Sequence, residues 1–177
     1  MRGGSENGYC MRQDWDGAGA TGKWIVSHAQ EALRRFNAPT EAVLLGSRLA
    51  VIQEDRLYFM LVHWDVTDFP QFGKFLVHPR SMAAHDETLC VIDDQGLKCL
   101  MPGVSVGYPP RYPEHTRIPR DLVDPRAVAV TDDRVCVIHA LGVRCWGGSS
   151  GPLQVPSDLE MPPTITGGGN HACALGP

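Results

Sequence analysis

Short apolar runs broken by polar or turn-forming residues dominate this chain. LCVID (89–93) and GLKCL (96–100) flank Asp94-Gln95, and VCVIH (135–139) and GVRCW (142–146) flank Ala140-Leu141. Runs of this length, rich in β-branched and apolar residues and bounded by Gly, Pro or Asp, read as strands. SMAA (81–84), AVAV (127–130) and TIT (164–166) supply an earlier short strand in each neighbourhood. Helical spacing occurs in HAQEALRRF (28–36), where Ala29, Ala32, Leu33 and Phe36 share a face, so one short helix is expected there.

The pattern is also repeated. PRSMAAHDETLCVIDDQGLKC (79–99) recurs without a gap as PRAVAVTDDRVCVIHALGVRC (125–145). PPTITGGGNHACAL (162–175) lies on the same frame, with Cys173 over Cys136. PTEAVLLGSRLAVIQEDRLYF (39–59) fits as well, with Ala50 and Phe59 where the cysteines stand and Leu57 over Leu97 and Val143. The closing stretches IPRDLVDP (118–125) and VPSDLEMP (155–162) match each other. The chain therefore reads as a single repeat domain, 1–177, with units near 10–37, 38–77, 78–123 and 124–161 and a partial unit from 162 to 177. Unequal spacing places insertions in loops, which tolerate them. One such insertion is the Pro- and Tyr-rich GYPPRYPEHTR (107–117).

A unit of about 40 residues with three or four short strands cannot bury its faces alone and must stack on its neighbours. That combination predicts an all-β fold of β-propeller type, with about four blades in a partial or small propeller. Composition agrees. The 19 glycines and 14 prolines in 177 residues make a turn-rich chain, and 43% hydrophobic residues argue against disorder. A net charge of −4 lacks the basic footprint of a nucleic-acid binder. No apolar run reaches the ~18–20 residues of a membrane-spanning helix.

Residues 142–175 carry a more specific pattern: a Cys-Trp-Gly strand, a polar loop, Val-Pro and Asp-Leu, then an apolar strand, Gly-Gly, His and Cys-Ala-Leu. This resembles the regulator of chromosome condensation repeat, particularly its bacterial cysteine-bearing form. The match is strong over 124–175, fair over 78–123, and carried by the internal alignment over 38–77. The resemblance implies a β-propeller, usually of seven blades, that binds proteins on its faces. The family's members range from a nucleotide-exchange factor to β-lactamase inhibitors, so the fold does not fix the task.

Four of the six cysteines occur in two identical spacings. With Asp94-Gln95 as a two-residue hairpin loop, counting outward sets Cys90 opposite Cys99 at a non-hydrogen-bonded position, where Cα atoms approach to roughly 4.5 Å. The same count sets Cys136 opposite Cys145. Two disulfides within blades are the expectation; buried free thiols or metal ligands are the alternatives. Ala140-Leu141 is poor chemistry for a two-residue turn, and a one-residue bulge there would separate the second pair. Disulfides imply a periplasmic, cell-surface or extracellular setting. MRGGSENGYC has no apolar segment of the signal-peptide kind.

Function is read as a non-enzymatic, protein-binding module. Exposed aromatics in the insertions, Trp64, Phe69, Tyr108 and Tyr112, are the candidate contacts. The alternatives are a structural segment of a larger surface protein, and a hydrolase using His63, Asp65, His85 and Asp86. Trp146 is expected to pack between blades, and Gly167-Gly168-Gly169 to form a tight turn. No catalytic, cofactor or metal residue is assigned. Five copies of the second strand (at Cys10, Ala50, Cys90, Cys136 and Cys173) favour an open array whose strand edges self-associate, over a ring closed by Cys10 and Cys173.

Overall fold

The computed structural model describes residues 29–46, 48–61, 76–100, 117–148, 155–156, 159 and 161–175. A helical turn, α1 (29–33), precedes four antiparallel sheets. The first is β1 (Glu41–Leu45), β2 (Arg48–Gln53) and β3 (Arg56–Leu61); the second is β4 (Ser81–His85), β5 (Thr88–Asp93) and β6 (Gly96–Leu100). The third is β7 (Ala127–Val130), β8 (Arg134–His139) and β9 (Gly142–Gly147), and the fourth is β10 (Thr164–Gly168) and β11 (His171–Leu175). Strands pair in chain order within each sheet.

Registers repeat as faithfully as the residues. Ala50 faces Phe59, Cys90 faces Cys99 and Cys136 faces Cys145. Ala38, His78 and Asp124, each just before a proline, all have left-handed backbone, at φ 49°, 48° and 45°. The bend that starts each of the first three sheets thus falls in the left-handed region. Pro119 and Pro156 each accept a hydrogen bond from the amide three residues on, that of Leu122 and of Leu159.

The β2–β3, β5–β6 and β8–β9 turns show how one register survives different residues. Gly96 and Gly142, directly after the second and third of these turns, have φ of 116° and 115°. The glycine thus takes the positive dihedral, and Ala140-Leu141 need not. In the first sheet Arg56 stands at the glycine's position, and the positive dihedrals move into the turn itself, onto Glu54 (51°) and Asp55 (59°). The bulge that threatened the Cys136–Cys145 register is therefore absent.

First strands of successive sheets, β1, β4, β7 and β10, pack side by side in that order, as inner strands of a propeller do. Among the described residues no comparable contact joins β10 back to β1, so these four sheets are not closed into a ring. Strand alternation divides each sheet between two cores. Ala50, Ile52, Leu57 and Phe59 of the first sheet meet Met82, Leu89 and Val91 of the second. Cys90, Ile92, Leu97 and Cys99 use the second sheet's other face, against Val128, Val130, Val135 and Val137. Trp146 packs on this second core, between blades as expected. Because both faces are covered, β5 and β8 are buried along their whole length.

α1 closes the free face of the first sheet. Ala29 is fully buried with Ala42, Leu49, Val51 and Met60, and Ala32, Leu33 and Phe36 pack beside it. The helix is shorter than the 28–36 expected. Past residue 33 the hydrogen bonds tighten to three-residue spacing, from Arg35 to Ala32 and from Phe36 to Leu33. Among the described residues no helix is long and apolar enough to cross a membrane.

Candidate functional site

The tips of the turns that leave the inner strands gather the polar chemistry. His85 shares a face of β4 with Ala83, which packs toward the third sheet. Its imidazole is therefore carried toward the β7–β8 turn, and its Nε2 hydrogen-bonds Asp132 Oδ1. Asp86 Oδ2 lies 3.9 Å from the same nitrogen. Asp86 has φ 49°, at a turn position occupied by Gly46 (51°) and Gly169 (50°) in the first and fourth sheets. Aspartate tolerates this conformation better than most residues. Asp132 is held from the other side, where its amide donates to the Gly169 carbonyl at 2.8 Å. The cluster thus ties three successive sheets together at one end.

One imidazole nitrogen and two carboxylates, all within 4.8 Å of one another, form a mixed donor set of the kind a divalent cation takes. They also form a His–Asp pair, but hydrolysis needs a nucleophile and oxyanion donors as well. The nearby Thr131 hydroxyl is engaged, accepting the Arg134 amide at 3.1 Å. Of the four hydrolase candidates, His85 and Asp86 come together; His63 and Asp65 lie outside the described residues. The sequence reading missed Asp132, although the 46-residue offset that aligns the second and third units places it over Asp86.

Two further groups were not foreseen. Asp93, with a fully buried side chain, accepts hydrogen bonds from the amides of Val77 and Gln95, at 2.9 Å each, and from Lys98 Nζ. Burial pushes its carboxyl up, but Lys98 and the two amides outweigh burial and hold it below the ordinary 3.8. Glu41 accepts the Met82 amide at 2.7 Å, across the junction of the first two sheets. There burial prevails over the hydrogen bond and raises its pKa from 4.5 to about 7.

Cys90 and Cys99, and Cys136 and Cys145, are brought to disulfide distance, with Cα atoms 4.0 Å apart in both pairs. Each pair links the middle strand of a sheet to its outer strand. Trp64 and Phe69 lie between β3 and β4, and Tyr108 and Tyr112 between β6 and β7; all four fall outside the described residues. Both segments join the outer strand of one sheet to the inner strand of the next.

No protein-family model matches this chain, and no curated protein matches it. Among the solved structures that share its fold are two plant receptor-kinase ectodomains. The CRINKLY WD40 ectodomain from the Arabidopsis thaliana receptor kinase ACR4 superposes with a TM-score of 0.50 at 16% identity, over 76% of this chain and 45% of that one. The entire ectodomain from the Physcomitrella patens receptor kinase CR4 gives 0.52 at 16% identity, over 76% of this chain and 37% of that one. The chain thus spans less than half the length of either neighbour. At this identity the likeness establishes the propeller-type fold and nothing finer.

Proposed function

We propose that this chain is a non-enzymatic, protein-binding module of propeller type, related to the regulator of chromosome condensation repeats. The unit boundaries proposed from the sequence, near 38, 78 and 124, belong to this reading. The observation that carries it is the placement of the insertions. Both aromatic-bearing segments, 62–75 and 101–116, leave the outer strand of one sheet and return at the inner strand of the next. Contact residues presented on connections above a rigid array are how repeat folds usually bind. Trp64, Phe69, Tyr108 and Tyr112 are the proposed contacts.

An oxidising setting, outside the cell or in the periplasm, is the proposed location. Two cysteine pairs at bonding distance support it, and both structural neighbours are ectodomains. The test is affinity capture with cross-linking, using the full chain as bait. A partner captured by the wild type and lost with Tyr108→Ala plus Tyr112→Ala, or with Trp64→Ala plus Phe69→Ala, supports the proposal. A hydrolytic activity abolished by His85→Ala overturns it in favour of an enzyme.

A further inference from the structure

The His85, Asp86 and Asp132 side chains converge from two different sheets. His85 ends β4 and Asp86 opens the turn that follows it, while Asp132 lies in the β7–β8 turn. Backbone pairing sets both positions. His85 stands opposite Thr88 in the β4–β5 register, and the Asp132 amide donates to the Gly169 carbonyl at 2.8 Å. The imidazole is the buried member of the group, its side chain 17% exposed against 83% for Asp86 and 55% for Asp132. Its Nε2 hydrogen-bonds Asp132 Oδ1 and lies 3.9 Å from Asp86 Oδ2.

The balance of charge in this group favours a cation. Two carboxylates and one imidazole, with ligand atoms within 4.8 Å of one another, stay net negative whether or not the imidazole is protonated. The turn itself does not call for the carboxylates. In the first and fourth sheets the same position is Gly46 and Gly169, whereas the two middle sheets carry Asp86 and Asp132 beside a histidine. A nitrogen donor among carboxylates suits a transition-metal ion such as zinc, while magnesium and calcium take oxygen donors. Zinc holds imidazole nitrogen and carboxylate oxygen at ~2.0–2.2 Å, which sets its ligand atoms ~3.3–3.6 Å apart at tetrahedral angles. Small rotations of the two exposed carboxylates bring the three donors to that spacing.

We propose that His85 Nε2, Asp86 and Asp132 bind one divalent transition-metal ion of zinc type, which braces the second sheet against the third. The cation takes the place of the proton between Nε2 and Asp132, and the neutral imidazole then carries its proton on Nδ1. Three protein ligands leave a fourth position, which water fills. Through the Asp132 amide and the Gly169 carbonyl the brace reaches the fourth sheet as well. This site is separate from the aromatic contacts proposed above, and neither reading depends on the other.

The experiment uses the full, untagged chain carrying Cys10→Ser and Cys173→Ser, so that neither residue competes as a thiol. After treatment with a chelator the protein is titrated with zinc chloride at neutral pH and followed by calorimetry, imidazole nitrogen NMR and thermal unfolding. The proposal expects one zinc per chain, a shift of the His85 Nε2 resonance on binding, and a thermal midpoint that rises with zinc concentration. His85→Ala and Asp132→Asn should each weaken binding at least ~10-fold. Asp86→Gly should weaken it as well while keeping the circular dichroism and the metal-free midpoint, because glycine holds the same position in two sister sheets. Absence of zinc binding overturns the proposal, as does binding that all three variants retain. A midpoint raised as far by magnesium as by zinc also overturns it, since carboxylates alone would then account for the response.

Discussion

Replacing Glu41 with glutamine should stabilise the protein at alkaline pH and leave it little changed in acid. The carboxyl is half-buried at the junction of the first two sheets, where it accepts the Met82 amide at 2.7 Å, and its pKa rises from 4.5 to about 7. The folded state therefore holds this proton more tightly than the unfolded chain. Stability from the group is fully present below pH 4.5, falls as pH rises between 4.5 and 7, and is gone above 7. Each factor of ten in proton affinity is worth about 1.4 kcal/mol, so between pH 5 and pH 8 the wild type should lose about 2–3 kcal/mol from this residue alone. Glutamine keeps an acceptor for Met82, carries a donor as the protonated acid does, and does not titrate. His78, raised above 6.5 by its hydrogen bond to Asp94, titrates identically in both proteins and cancels from the comparison. Urea unfolding at pH 5, 6, 7 and 8 measures the difference. The advantage of Glu41→Gln should grow by about 2–3 kcal/mol across that range, a midpoint change of about 1–2 M urea. Profiles that stay parallel within about 0.5 kcal/mol would show that Glu41 is solvated and that the reasoning is wrong.

Four other variants probe the fold. Asp93→Asn removes the depressed carboxylate that holds Lys98 and the Val77 amide, and should cost about 2–3 kcal/mol at neutral pH; the wild type loses this advantage as pH falls through the depressed titration, so the two acid-unfolding curves should converge. Gly142→Ala meets open space, and its cost of about 1–2 kcal/mol comes from the positive φ alone. Gly167→Ala would set its Cβ 2.9 Å from the Val130 carbonyl and should lower the thermal midpoint further than Gly142→Ala does. Ala50→Cys with Phe59→Cys places cysteines at the paired positions of the first sheet; thiol titration should show a third disulfide, with roughly 2–3 kcal/mol of cross-link stabilisation set against the lost packing of Phe59.

The repeated strands were legible because each sheet is built from the same local instructions. An apolar strand of five or six residues, a two-residue turn and a second apolar strand determine the Cys90–Cys99 and Cys136–Cys145 registers without reference to the rest of the chain. The helix face of Ala29, Ala32, Leu33 and Phe36 was legible for the same reason. What the sequence did not disclose depends on distance. Asp132 meets His85 only because neighbouring inner strands pack side by side, and no spacing rule joins residues 47 apart. The partial burial of Glu41 likewise depends on the second sheet, which supplies the Met82 amide; within β1 it is the first residue and the one polar one. The Ala140-Leu141 turn was misjudged because the glycine after the turn, rather than the turn residues, takes the positive dihedral.

The fold is built on repeated blades whose middle and outer strands share one register, and mapping the cysteines tests that most directly. Trypsin cuts at Lys98 and Arg144, between the two members of each pair, and a second cut at Glu160 separates Cys145 from Cys173. Digestion under non-reducing conditions, followed by mass spectrometry, should recover Cys90 linked to Cys99 and Cys136 linked to Cys145. Crossed linkages, such as Cys99 to Cys136, or four free thiols in protein kept under oxidising conditions, would contradict the register.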